Sequence, residues 1–312
     1  MEQKTYDLTI IGGGPAGAAA AVYAARKRLT SVLIAGEWGG QSIVSPSIEN
    51  WIGTPTISGD DLAKSFEKHV KAYAEDIVDI KVPEWVTGVS KNDDGTFLTT
   101  TDKESYVSKS VLITTGSKRR RLSVPGSDEF EHKGLTYCAS CDGPLFSGQD
   151  TVVVGGGNAA FETAAQLLAY AKSVTLLNRT NTLKADPVTV EEVNKDPKFT
   201  LINNATTKEI HGEQFVTGIT YTDTEKQTDV RLEVKGIFVE IGLIPNTDMM
   251  KDVVTLNSYG QVEIDPRTQR TGTKGIWAAG DCTNVLYHQN NIAAGDAVKA
   301  LEDIYLAIKT GK

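Results

Sequence analysis

Tyr6-Asp7-Leu8-Thr9-Ile10-Ile11-Gly12-Gly13-Gly14-Pro15-Ala16-Gly17 decides the fold. The first six residues read as a buried parallel strand, and the next six as a tight G-x-G-x-x-G turn. Alanine-rich Ala18 to Arg28 reads as helix, and Ser31 to Ala35 as the next strand. This is the β-turn-α-β unit of a dinucleotide-binding fold. Physics fixes the residue types. Gly12 allows the turn, Gly14 lets a pyrophosphate approach the backbone, and Gly17 lets helix and strand pack closely. The helix N-terminus then faces the phosphate charge.

The device recurs. Thr151 to Val154 reads as a strand, Gly155-Gly156-Gly157-Asn158-Ala159-Ala160 matches G-x-G-x-x-A, Phe161 to Ala171 reads as helix, and Ser173 to Leu177 as strand. Gly155, Gly157, Asn158 and Ala160 are therefore candidate contacts of a second nucleotide. One glycine fingerprint is a weak signal; two in full strand-turn-helix-strand context argue for two dinucleotides, commonly a flavin and a nicotinamide. Gly275 to Ala279 reads as a short strand ending in Gly280-Asp281, with a helix from Ile292 onward. Asp281 there can accept hydrogen bonds from the ribityl hydroxyls of a flavin; a cap or turn aspartate is the plain alternative. If the first fingerprint and Gly280-Asp281 serve one flavin, the FAD-binding domain is discontinuous. It would take residues 1–117 plus 246–312, with a second nucleotide domain, residues 118–245, inserted. The expected fold class is α/β, two Rossmann-like dinucleotide-binding domains, with turns at Val124-Pro125-Gly126 and Ile244-Pro245-Asn246 near the crossings.

Composition agrees. The 312 residues are more than one compact core needs, and a net charge of −8 argues against nucleic-acid binding. The residues before Tyr6 lack the apolar stretch of a signal peptide, and no apolar run is long enough for a membrane span, so a cytoplasmic location is expected.

Cys138-Ala139-Ser140-Cys141-Asp142-Gly143 lies just before the second fingerprint. Zinc needs about four ligands, and no second Cys-x-x-Cys or histidine pair is present to supply them, so no metal is expected. Two thiols at this spacing close a small, exchangeable disulfide ring. A helical turn over the pair would lower one thiol's pKa. Asp142 can carry a proton to a thiolate; its plain reading is a turn residue. Cys282 has no cysteine neighbour in sequence and reads as a small residue near the flavin.

Taken in order, Gly12 to Gly17, Gly39-Gly40-Gln41, Glu49-Asn50-Trp51, Thr115-Gly116, Cys138 to Gly143, Gly155 to Ala160 and Ala279-Gly280-Asp281 resemble bacterial low-molecular-weight thioredoxin reductase over essentially the whole chain. The pattern also resembles the reductase core of the alkyl hydroperoxide reductase flavoprotein component, notably at Cys141 to Phe146 and Gly236 to Val239. The resemblance implies an FAD-dependent disulfide reductase. Gly12, Gly14, Gly17, Gly40, Gln41, Asn50, Thr115, Asp281 and Gln289 would contact FAD. Cys141 would act on the flavin side and Cys138 would attack the disulfide of a thioredoxin-like protein. The resemblance further implies a homodimer, rotation of the inserted domain, and, because the chain opens at the FAD strand, a separate relay protein. Lys133 would help dock the partner, or is simply solvated.

The donor end is less determined. The family's NADPH enzymes carry a His-Arg-Arg-x-x-x-Arg run after the second domain's βαβ strand, where guanidinium forks clamp the 2′-phosphate. Here the run is Asn178-Arg179-Thr180-Asn181-Thr182-Leu183-Lys184. Arg179 and Lys184 can still hold a phosphate, and Asn178 does not repel one. NADPH is the favoured donor, with NADH, ferredoxin or another non-nicotinamide donor, and a flavin-dependent dithiol oxidase, as alternatives. The Lys118-Arg119-Arg120-Arg121 run is either a patch for an acidic partner or a solvated linker.

Overall fold

The computed structural model describes residues 4–45, 48, 50–137 and 139–311. The elements begin with β1 (Thr5–Ile11), α1 (Pro15–Arg26), β2 (Ser31–Ile34), α2 (Gly59–Ala74), β3 (Val78–Lys81), β4 (Val86–Lys91), β5 (Phe97–Thr101), β6 (Ser105–Ile113) and β7 (Ser117–Arg119). Next come β8 (Leu135–Thr136), α3 (Ala139–Asp142), β9 (Asp150–Val154), α4 (Asn158–Leu168), β10 (Ser173–Leu177), α5 (Pro187–Asn194) and β11 (Phe199–Ile202). The chain finishes with β12 (Ala205–Gly212), β13 (Val216–Asp223), β14 (Thr228–Glu233), β15 (Gly236–Val239), β16 (Leu243–Pro245), β17 (Ile276–Ala278) and α6 (Asn290–Thr310).

The chain divides into two units, one running to Lys118 and resuming at Ile244, the other spanning Arg119–Leu243. In the first, β3-β2-β1-β6 form a parallel sheet, the second half of β6 pairs with β17, and β4 and β5 add antiparallel strands. The chain moves outward from β1 to β3 and then returns to β1's other side as β6. Such a reversal opens a crevice at the carboxyl ends of β1 and β6, where ligands of this architecture bind. Alanines 16, 20, 21 and 24 of α1 share a core with Ala293, Ala297, Ala300 and Ile304 of α6. Small side chains let the two helices approach.

The second unit repeats the plan. Its parallel sheet runs β11-β10-β9-β15-β8, reversing between β9 and β15, and β12-β13-β14 form a separate antiparallel sheet. Leu135, Val152, Val154, Leu177, Ile237 and Val239 share one core on this sheet.

Both fingerprint helices begin earlier than their alanine runs imply, at Pro15 rather than Ala18 and at Asn158 rather than Phe161. Gly14 and Gly157 are the N-caps, so the last residues of each fingerprint already form the first helical turn. Pro15 at the first position is pre-set for that turn. Helix α1 also ends before Arg28, whose φ of 56° belongs to the left-handed region. Helix α6 starts at Asn290, two residues before Ile292.

Each unit joins its own two chain ends. In the first, Asn246 N donates to Gly116 O at 3.0 Å and Asn246 Nδ2 to Thr115 O at 3.1 Å. In the second, Arg120 N donates to Gly242 O at 2.9 Å.

Candidate functional site

In the first unit the crevice is built around glycines. A Cβ on Gly12, whose φ is 122°, would lie 2.2 Å from Thr114 O, and one on Gly17 would lie 1.8 Å from Gly12 O. Neither position admits a side chain. Gly14 is different: a Cβ there would meet nothing within 4 Å. The N-terminus of α1 therefore faces open space, and no side chain caps it. Gly39 N donates to Gly13 O at 2.9 Å, which brings the 3₁₀ turn at Gly40–Val44 beside α1.

Other expected residues gather here. Asn50 Nδ2 donates to Gln289 Oε1 at 3.0 Å, while Asn291 Nδ2 donates to Asn50 O at 2.6 Å. Ser42 Oγ donates to Asn290 Oδ1 at 2.9 Å, and Gln41 Nε2 to Ser117 Oγ at 3.1 Å. A Cβ on Gly280 would lie 3.1 Å from Ala293 Cβ and 3.6 Å from Ala16 Cβ, so the end of β17 meets the first turns of both α1 and α6. Asp281 follows, with its Oδ1 3.4 Å from His288 Nδ1. Thr115 Oγ1 is buried without a hydrogen-bond partner among the described residues. An open cradle at a helix N-terminus, an aspartate at a strand end and an orphaned buried hydroxyl fit a flavin dinucleotide. Sequence reasoning missed Ser42, Ser117, His288, Asn290 and Asn291, because nothing in their local pattern marks them. Cys282 is fully buried, its Sγ donating toward Ala279 O and Ile113 O, and burial pushes its thiol up to about 11.

The second unit repeats the geometry. Gly155 lacks a Cβ that would lie 2.2 Å from Glu240 O, and Gly157, like Gly14, faces open space. Ala160 packs on Gly155, its Cβ 3.0 Å from the position a Gly155 Cβ would take. Lys184 N donates to Gly156 O at 2.8 Å and Asp186 N to Asn158 Oδ1 at 2.7 Å, strapping that loop to the glycine turn. Asn178 is buried, and its Nδ2 donates to Thr180 O at 2.7 Å and Asn203 Oδ1 at 2.9 Å. It shapes the loop instead of pointing a free donor outward. Arg179 and Lys184 are exposed, and neither forms an ion pair among the described residues.

Glu240, at the end of β15, was not foreseen. Its Oε1 accepts from Thr163 Oγ1 at 3.0 Å and lies 3.3 Å from Arg119 Nη1. Burial raises its carboxyl above the usual range, with Glu162 adding to the rise and Arg119 and Thr163 opposing it. Arg121 pairs with Glu131 at 3.1 Å. Half of the basic run at 118–121 is thus spent on ion pairs.

Of the cysteine motif, Cys138 lies outside the described residues, as does the side chain of Cys141. The backbone of Cys141 lies in the short helix α3, Ala139–Asp142. Asp142 closes that helix and accepts a hydrogen bond from Thr136 Oγ1. A cavity of about 660 Å³ lined by Lys109, Arg270, Lys274 and Trp277 contains none of these residues. It opens at the amino end of β17, away from the carboxyl ends where dinucleotides sit.

Two open glycine turns, each at a sheet reversal and each before a helix, define a two-dinucleotide protein. The pyridine nucleotide-disulphide oxidoreductase family model matches residues 6–311, and the chain belongs to that family of flavin- and pyridine-nucleotide-dependent oxidoreductases. It is 40% identical over 299 residues to the NADH dehydrogenase of Bacillus subtilis, covering 96% of this chain and 58% of that one. Against an Escherichia coli component of alkyl hydroperoxide reductase the identity is 38% over 305 residues, 96% of this chain and 57% of that one. The chain thus spans well under two thirds of these curated relatives. Its fold is similar to the thioredoxin reductase of T. acidophilum, with a TM-score of 0.76 and 36% identity, covering 97% of this chain and 99% of that one. Within the family it is thioredoxin-reductase-like.

Proposed function

We propose that the chain is an FAD-dependent disulfide reductase that takes electrons from NADPH and delivers them through Cys138 and Cys141 to a thioredoxin-like protein. The duplication carries this reading: Gly14 and Gly157 each face open space at an uncapped helix N-terminus, with the dithiol motif just before the second. Unit one is the flavin domain and unit two the nucleotide domain. Gly12, Gly14 and Gly17 bring the α1 N-terminus to the pyrophosphate. Gly40, Gln41, Asn50, Thr115, Asp281 and Gln289 supply polar contacts. The flavin, when bound, supplies the two-electron centre that returns the Cys138–Cys141 disulfide to the dithiol.

The chain's own residues then act on the partner. Cys138, as thiolate, attacks one sulfur of the partner's disulfide; that bond breaks, and the departing sulfur takes a proton from Asp142. Cys141 attacks Cys138 Sγ, its proton passing to the second partner sulfur as that sulfur leaves, and the Cys138–Cys141 disulfide forms. Two electrons and two protons pass to the partner.

Arg179 and Lys184, exposed and without an ion pair among the described residues, support NADPH. NADH is the second reading, favoured by the likeness to a protein called NADH dehydrogenase and by the loss of two arginines from the run. Anaerobic rapid mixing of the holoprotein with NADPH, NADH and reduced ferredoxin, following flavin absorbance, tests both. Fast bleaching by NADPH is expected. Bleaching by neither nucleotide would overturn the assignment of the second seat. Cys138→Ser should bleach normally yet fail to reduce the partner.

A further inference from the structure

We infer that Thr136 is the positioning residue that holds Asp142 for proton delivery during disulfide exchange, an inference that rests on the role proposed for Asp142 above. Thr136 is the last residue of β8 and is buried, with 5% of its surface exposed. Its strand pairs with β15, Phe238 opposite Thr136, so its backbone is anchored in the parallel sheet. A β-branched side chain on such a strand has little rotamer freedom. Its hydroxyl donates to Asp142 Oδ2.

The acceptor departs from local preference. Asp142 directly precedes the 3₁₀ turn Gly143–Phe146 and occupies its N-cap. An aspartate there ordinarily accepts a backbone N–H of the following turn. Asp142 makes no such bond. Its carboxyl is turned back to Thr136, across a segment of five residues, 137–141, that holds both cysteines of the motif. The bond thus closes the ends of the redox segment on each other. It also fixes Oδ2 as an acceptor, which leaves Oδ1 to carry the proton.

Two disulfide probes separate positioning from mere packing. A dialkyl disulfide such as bis(hydroxyethyl) disulfide expels a strongly basic thiolate that needs a proton. A nitrobenzoate disulfide expels a weakly basic one that does not. The dithiol holoprotein is mixed with each, and released thiol is measured after acid quench. Thr136→Val should slow the dialkyl reaction about tenfold and leave the nitrobenzoate reaction within about twofold, while Thr136→Ser restores both. In Asp142→Asn the further change Thr136→Val should add nothing, because Thr136 acts through Asp142. Equal slowing on both probes, or an unchanged dialkyl rate, overturns the assignment while leaving Asp142's role intact. If Asp142→Asn itself keeps the wild-type dialkyl rate, the acid role fails, and this inference with it. Retained flavin absorbance and an unchanged thermal transition show that each variant is folded.

Discussion

Glu240 stands against Gly155 as Thr114 stands against Gly12: in each unit the carbonyl oxygen that follows the reversal strand lies 2.2 Å from the Cβ the first glycine lacks. In the second unit that strand-end residue also carries a mostly buried carboxylate, tied to Thr163 and Arg119.

Burial raises the Glu240 carboxyl above its unfolded value. The folded chain therefore keeps this proton to higher pH than the unfolded chain does. The associated stability is complete below the unfolded glutamate pKa and is lost as pH rises through the folded one. Glu240→Gln, which cannot ionise, should gain on the wild type as pH rises from the acid range to neutrality. Urea midpoints of both proteins across that range measure it; a constant or shrinking gap would refute it.

Two alanine substitutions in one turn should separate folding from ligand binding. Gly17→Ala sets a Cβ 1.8 Å from Gly12 O and should cost about 3 kcal/mol in urea unfolding, with loss of bound flavin. Gly14→Ala meets no protein atom and should cost under about 1 kcal/mol, yet it fills the cradle and should release flavin on dilution. Flavin absorbance after gel filtration reads the second effect.

If Arg179 holds a phosphate, Arg179→Ala should raise KM for NADPH about tenfold and leave KM for NADH within about twofold. Equal effects on both nucleotides would show that Arg179 does not discriminate between them.

Cys282 should resist alkylation. It is fully buried, and its thiol is pushed up to about 11. Mass spectrometry after iodoacetamide treatment should find it unmodified in the native protein and modified in denaturant. Rapid labelling in the native state would contradict the burial.

The two turns were legible because glycine is dictated there by close contacts: Gly12, Gly17 and Gly155 have no room for a side chain. The helix starts were missed by three residues, because the alanine runs mark the propensity for helix, whereas the N-caps at Gly14 and Gly157 mark its beginning. Asn178 read as a residue that does not repel a phosphate; that its amide serves Thr180 and Asn203 needed the loop's path. Glu240, His288 and Thr136 left no local pattern, since their pairing with Arg119, Asp281 and Asp142 depends on how the chain folds back between the partners.

The bonds from Asn246 to Gly116 and from Arg120 to Gly242 give the chain the connectivity of a cassette. Each unit closes its own ends, so the length of the excursion between them adds little closure entropy to the host. A second unit with a different loop after its glycine turn can therefore be exchanged at these two points while the first unit's sequence stays as it is.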